Sequence, residues 1–168
     1  MDIKFHKLSN FDRIKFSDLL ADAYSFDKNL VDAEIERWRS DNDNLFYDYV
    51  GLETADTCCI ITTLNNEIVG FICWDPRNLP EYAIIGDNCI ITKHKGKGYG
   101  KLQLREAIDR ITRSGGKKVF VSTSNANGFV PAQRMYESVG FVRLDNSKLE
   151  PWQTAQKQDV YYCMDILS

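Results

Sequence analysis

Between Lys93 and Lys101 the chain reads KHKGKGYGK, three glycines and four lysines in nine residues. A β-rich run, EYAIIGDNCIIT, precedes this stretch, and GKLQLREAIDRITRSGG follows with Leu104, Ala107, Ile108 and Ile111 on one helical face. A strand therefore passes through a glycine-lysine loop into the first turn of a helix. Such a turn carries unpaired backbone N–H groups and a partial positive charge, so it is a natural seat for an anion. Glycine lets the main chain come close to that anion because it has no Cβ. Gly96, Gly98 and Gly100 at alternate positions, with lysines among them, suit a pyrophosphate better than a lone carboxylate.

The remaining pattern places this junction in a mixed fold. Ile3 to Leu8 reads as a first strand. FDRIKFSDLLADAYSF follows at close to a helical period, with Ser9 or Asn10 as N-cap. NLVDAEIERWRS predicts a second helix, with Leu30, Ile35 and Trp38 towards the core. DNDNLFYDYVGLETAD reads as an irregular, substrate-facing segment. TCCIITTL and EIVGFICWD are strands joined by a tight turn at Asn65-Asn66. Beyond the loop helix, which Gly115-Gly116 ends, KKVFVST is a short buried strand. NGFVPAQRMYESVG is a helix with Pro131 in its first turn and Gly140 at its end. FVRLDN and DVYYCMDIL close the chain as strands. At 168 residues this is one α/β (α+β) domain with a mixed sheet.

Composition narrows the function. No run of eighteen apolar residues exists to span a membrane, and the first residues have no signal-peptide pattern. Five cysteines without a CxxC spacing, and two histidines, argue against a disulfide framework and a metal site; they fit buried small side chains in a reducing cytoplasm. Residues 1–56 hold thirteen acids and seven bases, whereas residues 57–168 hold eleven acids and fourteen bases. Segregation of this kind marks two kinds of ligand surface. Nine bases among residues 93–118 raise the question of nucleic acid, but they come without a recognition motif or stacking aromatics.

Spacing discriminates among phosphate motifs. A Walker A loop ending at Gly100-Lys101 needs glycine at 95 and Ser or Thr at 102, where Lys95 and Leu102 stand; a GxGxxG from Gly96 needs glycine at Lys101. Both fail. Lys-Gly-Lys-Gly-Tyr-Gly, residues 95–100, resembles instead the Q/R-x-x-G-x-G/A pyrophosphate loop of the GNAT acetyltransferases, with Lys95 keeping a cation in the first position. AQRMYESVGFVRL, residues 132–144, is similar to the family's A-x-x-x-Y-E-x-x-G-F stretch.

The resemblance implies a splayed, mixed sheet of about seven strands flanked by helices. It divides the domain into acceptor-side helices (1–56), an acyl-CoA-binding core (57–145) and a C-terminal strand region (146–168). It further implies an N-acetyltransferase that passes an acetyl group from acetyl-CoA to a primary amine by direct attack. The alternative is a non-catalytic acyl-CoA-binding sensor. The diphosphate would rest on Lys95, Gly96, Lys97, Gly98, Tyr99, Gly100 and Lys101. The pantetheine arm would pair with the backbone of Asn88, Cys89, Ile90 and Ile91, and Asn127 would take over from the family's usual cofactor asparagine, whose position holds Phe129. Tyr136 would be the general acid for the leaving thiolate. The family's glutamate base matches Ile84, which cannot serve, and Asp87 sits at the opposite strand parity; water or Asp48 remains open as base. The acid-rich first third favours a cationic acceptor, and C-terminal strands of this family often pair in homodimers.

Overall fold

A computed structural model describes residues 2–39, 52–148 and 159–166. The sequence expectations for residues 41–51, for Asp48 and for most of the segment SKLEPWQTAQKQ lie outside these, as does the Trp38 side chain.

Seven strands form one sheet in the order β1-β2-β3-β4-β5-β7-β6. They are β1 (Ile3–His6), β2 (Cys59–Leu64), β3 (Glu67–Asp75), β4 (Ala83–Ile90), β5 (Lys118–Thr123), β6 (Val142–Arg143) and β7 (Val160–Asp165). Neighbours run antiparallel except β4 and β5, the parallel pair. Asn65 and Asn66 both take positive φ, 50° and 68°, which makes the β2–β3 connection a two-residue turn of primed type. The expected mixed seven-stranded architecture is thus present.

Among the described residues the α-helices are α1 (Arg13–Ala23), α2 (Lys28–Arg39), α3 (Leu52–Cys58), α4 (Tyr99–Arg113) and α5 (Val130–Val139). Two local expectations change. The N-cap of α1 is Asp12, whose carboxylate accepts the Lys15 N–H at 2.9 Å, rather than Ser9 or Asn10. Ser9 instead lies in a 3₁₀ turn, where Asp56 accepts its backbone N–H at 3.0 Å and its hydroxyl at 2.6 Å. The short helix α3 occupies the end of the segment read as irregular, so β2 begins at Cys59 rather than Thr57.

Core side chains run through the sheet and both groups of helices: Leu20 of α1, Ile60 and Phe71 of the central strands, Leu104 and Ile111 of α4, and Tyr162 of β7. Burying a side chain of this size is worth about 1.5–3 kcal/mol. Leu104, Ala107 and Ile111 carry the predicted buried face of α4. Among the described residues no helix is long and apolar enough to cross a membrane.

Candidate active site

The loop between β4 and α4 makes a 3₁₀ turn over Thr92–His94, then two left-handed glycines, Gly96 at φ 73° and Gly98 at φ 86°. A Cβ at either glycine would meet nothing within 4 Å. Glycine is needed here for the left-handed backbone, which other residues adopt at a cost, more than for room. Gly98 caps α4 without a side-chain acceptor, so the first N–H groups of the helix stay directed out of its end. Gly100 serves a different purpose: its Cβ would lie 3.2 Å from Met135 Sδ, where α4 packs on α5.

The lysines are braced around this turn. Lys93 pairs with the Glu67 carboxylate, Lys97 Nζ donates to Lys93 O at 2.8 Å, and Lys101 Nζ donates to Ser138 O at 3.2 Å. Lys95 donates to Ala23 O at the end of α1 and lies 4.6 Å from the centre of the Phe26 ring. Burial pulls its pKa below the ordinary lysine value. Tyr99 contributes backbone only, because its ring is buried against Val69 and Ile90 and meets His94 edge-on at 5.7 Å.

Beside the loop the sheet opens. Parallel pairing of β4 with β5 covers only Ala83↔Val119, Ile84↔Phe120 and Ile85↔Val121, although β4 runs on to Ile90 and β5 keeps pairing with β7 as far as Thr123. The Ile91 N–H is taken by Val69 O of β3 at 2.9 Å. Backbone groups alternate along such a ladder, so Cys89 also faces β3. Asn88 and Ile90 turn their amides and carbonyls towards the gap.

The register of β3 and β4 shifts where the strands part. Trp74 pairs with Ile85 and Ile72 with Asn88, so Cys73 alone stands opposite both Gly86 and Asp87. This bulge adds one residue to β4 and reverses its alternation. Asp87 therefore shares the face of Ile84, against the parity expected from regular pleating. A Cβ at Gly86 would come within 2.9 Å of Cys73 Sγ. The part-buried Asp87 Oδ1 accepts the Tyr24 hydroxyl at 2.7 Å. Burial, then the Asp87 charge, holds the Tyr24 phenol well above its usual pKa.

Tyr136, on α5, is 4% exposed and its ring meets Phe141 at 5.8 Å and Tyr162 at 5.9 Å. Burial pushes its pKa up; the nearby polar side chain of Asn88 works the other way, and the Asp87 charge adds to the rise. The hydroxyl is fully protonated at neutral pH. Asn127 lies exposed in the 3₁₀ turn Asn127–Phe129, while Phe129 packs edge-on against Phe26 at 5.2 Å. Loop, gap, Asp87 and Tyr136 thus converge on the end of β4. Tyr24 and the placement of Asp87 escaped the sequence reading, although an isolated glycine inside a strand pattern, Gly86, is the signal that marks a bulge.

The family model described as Acetyltransferase (GNAT) family matches residues 16–141. Among solved structures, the chain superposes on the PaiA N-acetyltransferase of Thermoplasma acidophilum in complex with coenzyme A with a TM-score of 0.76 and 16% identity, covering 99% of this chain and 100% of that one. A GNAT-family acetyltransferase of Staphylococcus aureus Mu50 gives 0.72 at 16% identity, with 99% and 100% covered. A GNAT-family acetyltransferase of Elizabethkingia anophelis with acetyl-CoA bound gives 0.63 at 20% identity, with 98% of each chain covered. A search of curated proteins finds no matching sequence. With three-quarters of its length matched by the family model and the same fold throughout, the chain belongs to the GNAT family of acetyltransferases and is an acyltransferase.

Proposed function

We propose that the protein transfers the acetyl group of acetyl-CoA to a primary amine, by direct attack while both substrates are bound. The observation that carries this reading is the parting of β4 from β5 after Ile85↔Val121, next to a helix N-terminus reached through two left-handed glycines. An extended thiol-bearing arm with a diphosphate needs these two features side by side. The amides from Gly96 to Lys101 would take the diphosphate, with the four lysines adding charge. The outward backbone of Asn88 and Ile90 would pair with the arm, and Asn127 would contact it from the far side of the gap.

The chemistry follows from the groups around the gap. Free alkylamines are protonated near pH 7, so the acceptor must lose a proton before attack. Asp87, part-buried and held by Tyr24, takes that proton directly or through one water. The amine nitrogen then bonds to the thioester carbon, and an outward N–H of β4 stabilises the charge that grows on oxygen. As the C–S bond breaks, the Tyr136 hydroxyl gives its proton to the departing sulfur. Asp87 and the acid excess of residues 1–56 favour a cationic acceptor. Free thiols at all five cysteines fit a reducing cytoplasm.

Release of free CoA thiol, followed across a panel of cationic, neutral and anionic amines, tests the reading. Turnover with cationic amines is expected. Calorimetric binding of acetyl-CoA without turnover on any amine would leave the non-catalytic acyl-CoA-binding alternative, and no binding at all would remove both.

A further inference from the structure

Across the open end of the gap reaches a side chain that the mechanism above does not use. β4 leads on into Thr92 and Lys95, and β5 into Gly128 and Phe129, so these residues stand on opposite banks of the gap. The end of α1 is stitched to the first bank. Thr92 gives its backbone N–H to the Asp22 carboxylate and its hydroxyl to Asp22 O at 2.9 Å, and Lys95 donates to Ala23 O. From this anchored end the turn into α2 sends Phe26 across. Its ring lies under the Lys95 ammonium, 4.6 Å away, and meets Phe129 edge-on at 5.2 Å.

The second bank is shaped to receive that ring. A Cβ at Gly128 would stand 2.4 Å from Phe26 Cδ2 and 2.6 Å from Cε2, so the ring rests in the space that the glycine leaves. Lys95 and Phe129, two positions at which the sequence departs from the family's motifs, are the two whose side chains hold it. Phe26 is nevertheless 46% exposed, so the ring can turn into solvent while the bonds of Asp22 and Ala23 stay made.

We infer that Phe26 is a plug on the donor's own path: seated, it closes the open end of the gap, and coenzyme A binds only after the ring swings out. The inference rests on the reading that the arm enters the gap with its diphosphate on the loop. Such an arm replaces a strand, with each bank about 4.7–4.9 Å from it. A ring in contact with both banks fills that width. The diphosphate also competes for Lys95, because an ammonium held over a ring face is drawn more strongly by a closer anion. One exposed cation–π contact and one aromatic pair hold the ring weakly, so that its seat is empty about one-tenth of the time. The apparent donor affinity is then about tenfold weaker than that of the open site.

Surface plasmon resonance of coenzyme A over the immobilised protein tests this, since it gives both rate constants. Phe26→Ala is expected to raise kon about tenfold and keep koff within about twofold, so that Kd falls about tenfold. Removing a mere wall of the site would do the opposite, raising koff and Kd. Gly128→Ala keeps Phe26 but sets a methyl 2.4 Å from its ring, which must leave its seat. It should raise kon in the same direction, and should add nothing in a Phe26→Ala background, where there is no ring to displace. A kon that does not rise in Phe26→Ala, or a Kd that does not fall, would overturn the inference. Should Phe26→Ala fail to fold, Gly128→Ala decides by the same two criteria. Coenzyme A bound by neither the parent nor either variant would instead sink the donor reading, and the inference with it.

Discussion

The Tyr24 hydroxyl donates to Asp87 Oδ1 across 2.7 Å, tying the C-terminal end of α1 to the bulge of β4. The acceptor-side helices and the strand that borders the gap are thereby joined at the one carboxylate that the bulge turns onto the face of Ile84.

Replacing that carboxylate should uncouple binding from chemistry. Asp87→Asn is expected to lower kcat about 100-fold at neutral pH, with KM for acetyl-CoA nearly unchanged, because the proposed mechanism assigns donor binding to the loop and backbone. Steady-state kinetics at saturating amine checks this. A variant as active as the parent would assign deprotonation to solvent.

Removing the partner should cost stability. Tyr24→Phe keeps the ring and loses a hydrogen bond to a charged group, a change of about 1.5–3 kcal/mol. The urea midpoint should fall with the slope unchanged.

Gly70→Ala should be among the more damaging single-methyl changes in the sheet. The added Cβ would lie 2.4 Å from Ile90 Cδ1 and 2.5 Å from Cys89 O, and the second of these is backbone that cannot rotate away. Overpacking of this kind costs about 1–3 kcal/mol, and the displaced Gln103 amide adds to it. Denaturant unfolding should register the loss, and kcat should fall with it.

At the loop the expected effect is on the donor. Gly98→Ala meets no steric obstacle but forces a Cβ into the left-handed region at φ 86°, at about 1–2 kcal/mol. Relaxing that strain would swing the first amides of α4 out of line. We expect the Kd for CoA, measured by calorimetry, to rise about tenfold.

Alkaline pH should weaken the fold. Burial raises the pKa of Tyr136, Tyr24 and Tyr162 alike; the Asp87 charge adds at the first two, and the Tyr162 hydrogen bond to Glu137 adds at the third. Raised phenol values mean stability that is whole below about pH 10 and is lost as pH climbs through the folded-state values. Ultraviolet titration should show at least three of the eight tyrosines ionising late, together with unfolding. Tyr136→Phe should flatten the alkaline fall in melting temperature.

Much of this architecture could be read from local pattern. The strands from Cys59 to Ile90 show as β-rich runs, α4 as a period, and the hairpin as an Asn-Asn pair, since each depends on neighbours a few residues away. The strand–loop–helix junction and the helix that carries Tyr136 were legible for the same reason: spacing along one such unit, or one helical turn, carries them. The N-cap of α1 was not, because Ser9, Asn10 and Asp12 are all competent acceptors and the contact of Ser9 with Asp56 decides among them.

Asp87 marks where local reading stops. Alternation along EYAIIGDNCIIT places its side chain on the wrong face, and only pairing with β3, where Cys73 stands opposite two residues, reverses it. Gln103 likewise reads as one more polar position on an amphipathic helix until Gly70, Thr62 and Asn88 close around it. The order of strands and helices along the chain and the glycine-lysine loop follow from chemistry spread over fewer than about fifteen consecutive residues. The face of a carboxylate and the closure of polar groups around a buried amide depend on strands and helices distant in the chain, and those are set only when the sheet assembles.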